Sequence, residues 1–197
     1  MTADQRVAQW LELHDATKHD DVERDGYCPI PQQPPSRSML AGIPRSPKLV
    51  DRGLMRAFAG LALGDLRWPL LIHGEAGCGK TRAALCFADS TRAASYYTAE
   101  RVADLIMRDG FPDFPGEGSD PVLIILDEIG ERGKASDLAY QAVKRMLDDS
   151  EKYNRNVLVA ISNNTPAELA TIYDDRVASR LVAGTVFHLQ GKDRRVR

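Results

Sequence analysis

Residues 74–81 restrict this chain more than any other stretch. They read Gly74-Glu-Ala-Gly-Cys-Gly-Lys-Thr81, the spacing G-x-x-x-x-G-K-[ST], behind an apolar run from Leu70 to Ile72 and ahead of a helical stretch from Arg82 to Asp89. Strand, glycine loop and helix in that order form a phosphate-binding loop. Glycine lets the backbone curl so that successive N–H groups point inward at phosphate oxygens. The following helix adds the positive end of its dipole. On this reading Gly74, Glu75, Ala76, Gly77, Cys78, Gly79, Lys80, Thr81 and Arg82 surround a nucleotide. Lys80 reaches the β- and γ-phosphates, and Thr81 is a ligand to Mg²⁺.

A loop of this kind needs a parallel sheet to carry it, and the sequence supplies further strands. Val122 to Leu126 is the most apolar run and ends in Asp127-Glu128. Such a run reads as a strand buried on both faces. Acids at its C-terminal end lie where α/β sheets bind ligands. Asp127 would hold Mg²⁺ through water, and Glu128 would polarise a water for attack on the γ-phosphate; the plainer alternative is an ordinary acidic strand end. Asn156 to Ile161 reads as another strand, followed by Ser162-Asn163-Asn164. Asn163 is placed to hydrogen-bond the attacking water or the γ-phosphate. Thr165-Pro166 reads as the start of a helix. Ala94 to Thr98 and Thr185 to Leu189 complete five strands, with helices expected over 48–63, 99–109, 136–152 and 174–181. Arg176 and Arg180 share one face of the last helix. They either pair with Asp174 and Asp175 or project toward a neighbouring subunit's γ-phosphate, for which an always-charged, forked cation is suited. Arg101 and Arg108 either line a DNA channel or sit on a solvated face.

Bulk composition narrows the function classes. The 197 residues carry a net charge of −2, so any nucleic-acid site must be a local patch. Cys28, Cys78 and Cys86 are too few and scattered for a disulfide framework or a zinc site, which fits a reducing cytoplasm. No apolar stretch approaches the ~18 residues of a membrane span. Residues 5–18 form a short amphipathic pattern with Val7, Trp10, Leu11 and His14 on one face. Too short to stand alone in water, such a helix must dock on its own core or on a partner. Acids and then prolines fill 20–47, which reads as an extended linker. The expected division is 1–45, a partner-binding helix and linker, and 46–197, the nucleotide-binding domain.

Gly74-Glu-Ala-Gly-Cys-Gly-Lys-Thr81, Leu123-Ile-Ile-Leu-Asp-Glu-Ile-Gly130, Ile161-Ser-Asn-Asn164 and Asp175-Arg-Val-Ala-Ser-Arg-Leu181 together resemble the AAA+ class of P-loop ATPases. Within it they are similar to DnaC-type replicative helicase loaders and the related IstB-type transposition helper ATPases. The resemblance covers residues 45–197 and implies a three-layer αβα domain on a five-stranded parallel sheet, without a helical lid. It implies Lys80 and Thr81 as Walker A, Asp127 and Glu128 as Walker B, and Asn163 as sensor 1. Arg180 would be the arginine finger and Arg176 the second choice, with Arg194 or Arg195 as candidates for sensor 2. The implied cofactors are ATP and Mg²⁺. Implied partners are further copies of the chain through the ATP sites, a hexameric replicative helicase and single-stranded DNA. The alternatives are an IstB-like assistant to a transposase, a module using ATP only as a switch, and a small-molecule kinase. A kinase would not need the acid pair, the asparagine and the paired arginines together.

Overall fold

Apolar residues alternate between two cores because successive side chains of a strand point to opposite faces. Leu70, Ile72, Leu123 and Ile125 enter one core, and Leu71, Ile124 and Leu126 the other. The computed structural model describes residues 50–89, 94–109, 122–131, 137–153 and 156–191. The expected helix at 5–18, the Pro-rich stretch 20–47, Arg194 and Arg195 lie outside those residues, as does 110–121, where three prolines and three glycines predict a loop.

The elements in chain order are α1 (Arg52–Ala62), β1 (Leu70–His73), α2 (Lys80–Ala88), β2 (Ala94–Thr98), α3 (Ala99–Asp109), β3 (Val122–Ile129), α4 (Asp137–Tyr153), β4 (Asn156–Ser162), α5 (Pro166–Ile172), α6 (Asp175–Val182) and β5 (Thr185–His188). All strands are parallel, in the order β2-β3-β4-β1-β5. Helices α1 and α2 contribute to one core, and α3, α4, α5 and α6 to the other. The expected three-layer α/β fold with a five-stranded parallel sheet is therefore present. From β1 the chain crosses to the far edge at β2 and returns through β3 and β4 to lie beside β1 again. The reversal between β1 and β4 opens a crevice at the C-terminal strand ends, where open α/β sheets bind ligands.

Two of the boundaries that differ from the sequence expectation do so for a clear local reason. Helix α1 starts at Arg52, because the Asp51 carboxylate accepts from the Leu54 N–H at 3.0 Å and caps it. Leu54, Phe58 and Leu61 are buried, and Leu63 is 45% exposed, since the helix ends before it and Gly64 turns the chain at φ 78°. Strand β3 does not stop at Leu126 but runs through both acids to Ile129. Leu126 pairs with Ala160 and Ile129 with Ser162, so β3 takes three steps where β4 takes two. That extra residue is a bulge, and Glu128 stands in it with φ 61°, in the left-handed region.

Candidate nucleotide-binding site

The glycine loop is shaped by its neighbours as much as by its own residues. The Leu189 N–H donates to the His73 carbonyl at 2.8 Å, extending the β1–β5 ladder to the mouth of the loop. A Cβ on Gly74 would lie 2.1 Å from the Leu189 carbonyl oxygen, so only glycine fits. At Gly79, φ is 106° and, among the described residues and apart from the adjoining backbone, nothing lies within 4 Å of the Cβ position, which leaves open space above the start of α2. Gly79 also provides no side-chain cap, whereas Asp51, Thr165 and Asp174 cap α1, α5 and α6. A helix start without a side-chain cap has first-turn N–H groups to offer an anion, with the dipole behind them.

Lys80 is the first residue of α2 (the sequence pattern started that helix at Arg82) and is buried. Its Nζ donates to the Gly74 carbonyl at 2.7 Å, the Glu75 carbonyl at 2.8 Å and Asn163 Oδ1 at 2.8 Å. Three oxygens thus match the three protons of the ammonium. Pairing of His73 with Ser162 brings Asn163 to Lys80 across 83 positions of sequence. The next asparagine does something else: Asn164 Nδ2 donates to the Gly130 carbonyl at 2.9 Å, and its N–H to Ser162 Oγ at 3.0 Å. Ser162 Oγ in turn donates to the Ile129 carbonyl at 2.6 Å, so this pair ties the bulged strand to β4.

The two expected metal residues meet. Thr81 Oγ1 donates to Asp127 Oδ2 at 2.7 Å, and the Glu128 N–H donates to Asp127 Oδ1 at 2.8 Å. Glu128 itself is exposed beside the buried Asp127. A third donor was not anticipated from sequence: the Tyr96 hydroxyl on β2 gives its proton to Asp127 Oδ2 at 2.9 Å. Burial and the Asp127 charge push the Tyr96 phenol far above its ordinary range. The only sequence signal for it was an aromatic two positions before the end of a strand. Hydroxyl and carboxylate are hard oxygen donors of the type Mg²⁺ takes together with phosphate oxygens. The open space at Gly79, the uncapped helix start and the Lys80 ammonium fit a nucleotide's phosphates.

His73 stacks on His188, with ring centroids 4.7 Å apart and planes within 4°. Burial, the neighbouring His188 and the Lys80 charge hold His73 below its ordinary 6.5, against an opposing pull from Glu168. The arginines of α6 lie elsewhere. Arg180 binds Glu151 bidentately, Nε to Oε1 at 2.9 Å and an Nη to Oε2 at 2.6 Å, and also pairs with Asp148. Its carboxylate partners are therefore on α4, not Asp174 or Asp175. Hydrogen bonding to Glu151 raises the Arg180 pKa and lowers that of Glu151. Asp174 caps α6 through the Val177 N–H at 2.7 Å and accepts from the Tyr140 hydroxyl at 2.7 Å. Arg176 is exposed on the same helix. The Arg101 N–H donates to Thr98 Oγ1, and Arg108 is exposed.

No protein-family model and no curated protein matches this sequence. Solved structures do. A DNA replication initiation factor is similar over 71% of this chain and 46% of its own, at 18% identity and TM-score 0.58. The replication initiator DnaA bound to AMPPCP and single-stranded DNA is similar over 75% of this chain and 51% of its own, at 17% identity and TM-score 0.57. AMPPCP-bound DnaA from Aquifex aeolicus is similar over 71% and 46%, at 16% identity and TM-score 0.55. The chain spans about half the length of these structures. At such identities the likeness is one of fold: a five-stranded parallel sheet packed between helices.

Proposed function

We propose that this chain is a Mg²⁺-dependent AAA+ ATPase that assembles through its ATP sites and helps load a hexameric replicative helicase onto single-stranded DNA during replication. The observation that carries the nucleotide chemistry is the convergence of Lys80, Asn163, Thr81 and Asp127 at the uncapped start of α2. The order of motifs along the chain, and a fold like that of a replication initiator, support the replicative task. Residues 46–197 are assigned to the ATPase domain and residues 1–45 to the partner.

In this reading Lys80 exchanges its three protein oxygens for phosphate oxygens. That exchange frees the Asn163 amide to orient the attacking water. Glu128, exposed on the bulge, takes the proton from that water. Thr81 and Asp127 would hold Mg²⁺, which when bound neutralises charge on the phosphates. An arginine of α6 from the next subunit completes the site. Arg180 can serve only after releasing Asp148 and Glu151, whereas Arg176 is already exposed.

The test is size by light scattering with Mg²⁺ and a non-hydrolysable ATP analogue, with and without the cognate hexameric helicase. A nucleotide-stabilised co-complex is expected. A monomer indifferent to both nucleotide and helicase overturns the loader reading. Co-purification with a transposase instead of a helicase moves the task to transposition.

A further inference from the structure

We propose that Tyr96 is a positioning residue for the Mg²⁺ site, its buried phenol fixing the orientation in which Asp127 serves the metal. The inference rests on the ATPase reading above. Asp127 receives three donors, two on Oδ2 from Thr81 and Tyr96 and one on Oδ1 from the Glu128 N–H. A carboxylate can accept about four hydrogen bonds, so the set leaves it little rotational freedom. These three donors differ in kind. Thr81 belongs to the phosphate loop and is itself an expected metal ligand. The Glu128 N–H sits on a bulge at φ 61°. Tyr96 alone comes from a separate strand, with its ring buried in the core that α1 and α2 share. The ring cannot swing away, so its hydroxyl holds one face of Oδ2 whatever the loop does. Partners that orient a metal-binding side chain typically cost 10–100-fold in metal affinity or activity when removed.

The neighbouring residue provides the control. Tyr97 points to the opposite face, packs on the other core and has its own hydrogen bond to Ser95. Tyr97→Phe therefore removes a partly buried phenol without touching Asp127.

The experiment measures binding of a fluorescent ATP analogue to the full chain, in EDTA and over a Mg²⁺ titration. The proteins are wild type, Tyr96→Phe and Tyr97→Phe. Half-saturation for Mg²⁺ should rise about tenfold in Tyr96→Phe and stay at the wild-type level in Tyr97→Phe. Binding in EDTA, which does not draw on the metal, should be retained in both variants. Incorporating 4-aminophenylalanine at position 96, which keeps the ring and a donor, should restore the wild-type titration. Equal Mg²⁺ dependence in Tyr96→Phe and wild type overturns this inference and leaves the ATPase reading standing. Equal shifts in the Tyr96 and Tyr97 variants, or loss of binding in EDTA by Tyr96→Phe, assign the phenol to packing and also overturn it. A wild-type protein that binds no nucleotide overturns both readings.

Discussion

At the scale of single residues, Lys80 and Glu128 should separate binding from chemistry. Lys80→Ala removes a buried cation and leaves three oxygens without their donor. Affinity for a fluorescent ATP analogue should fall at least about tenfold, since phosphate contacts through a charged donor are among the stronger hydrogen bonds. Glu128→Gln should bind as wild type while hydrolysis drops by about 10²-fold or more, the usual scale for a lost general base. A Glu128→Gln protein that hydrolyses normally removes Glu128 from the general-base role, whereas one that loses hydrolysis but keeps its function limits ATP to a switching role. His73 makes a prediction about pH. Its folded pKa is held below 6.5, so on acidification the unfolded chain takes up a proton that the native chain resists. Stability should therefore fall as pH drops below about 6.5 and level off beneath the folded pKa. Melting midpoints between about pH 7 and pH 5.5 would show this slope, and His73→Asn should flatten it.

At the scale of elements, short helices set the site by how they begin. Thr165 and Glu168 form a reciprocal capping box at the start of α5, directly after Asn163 and Asn164. Thr165→Ala should cost about 1 kcal/mol of stability, read from chemical denaturation. Because the cap anchors the segment bearing Asn163, a fall in kcat beyond the loss of folded protein is expected as well. Helix α6 presents a choice between its two arginines. Arg180→Ala breaks pairs with partly exposed carboxylates and should cost about 1 kcal/mol or less. If Arg180 serves a neighbour, its loss should also lower assembled ATPase activity by about 10³-fold or more, with a smaller effect of Arg176→Ala. The reverse order in a steady-state assay assigns Arg176.

At the scale of the whole molecule, a site completed between subunits should work only when subunits meet. Specific ATPase activity should rise with protein concentration and saturate as the assembly forms. Equal specific activity at high and low concentration would mean that each chain is catalytically complete. The parallel sheet makes such a division of labour reasonable. Its strand order gathers the phosphate loop, Asp127 and Asn163 at one crevice, while the α6 arginine Arg180 is held by α4.

Spacing within short stretches was enough to recognise the glycine loop, the acids after an apolar strand and the asparagine after the next one. Each lies in a stretch of at most eight residues whose geometry is set by the local backbone, so a linear pattern carries it. The three central strands, β1, β3 and β4, followed from apolar runs, because burial on both faces leaves no alternation to hide them, whereas the edge strand β5 alternates in exposure. Tertiary structure decided the rest. Whether Asn163 or Asn164 faces Lys80 depends on parallel register between β1 and β4 and on the Gly130 carbonyl that claims Asn164. The bulge at Glu128 shows only against the shorter path of β4. Tyr96 reaches Asp127, and Arg180 reaches Glu151, across 31 and 29 positions of sequence. A residue's neighbours along the chain are fixed by covalent bonds, but its neighbours across the sheet depend on strand order and register, which no short pattern encodes.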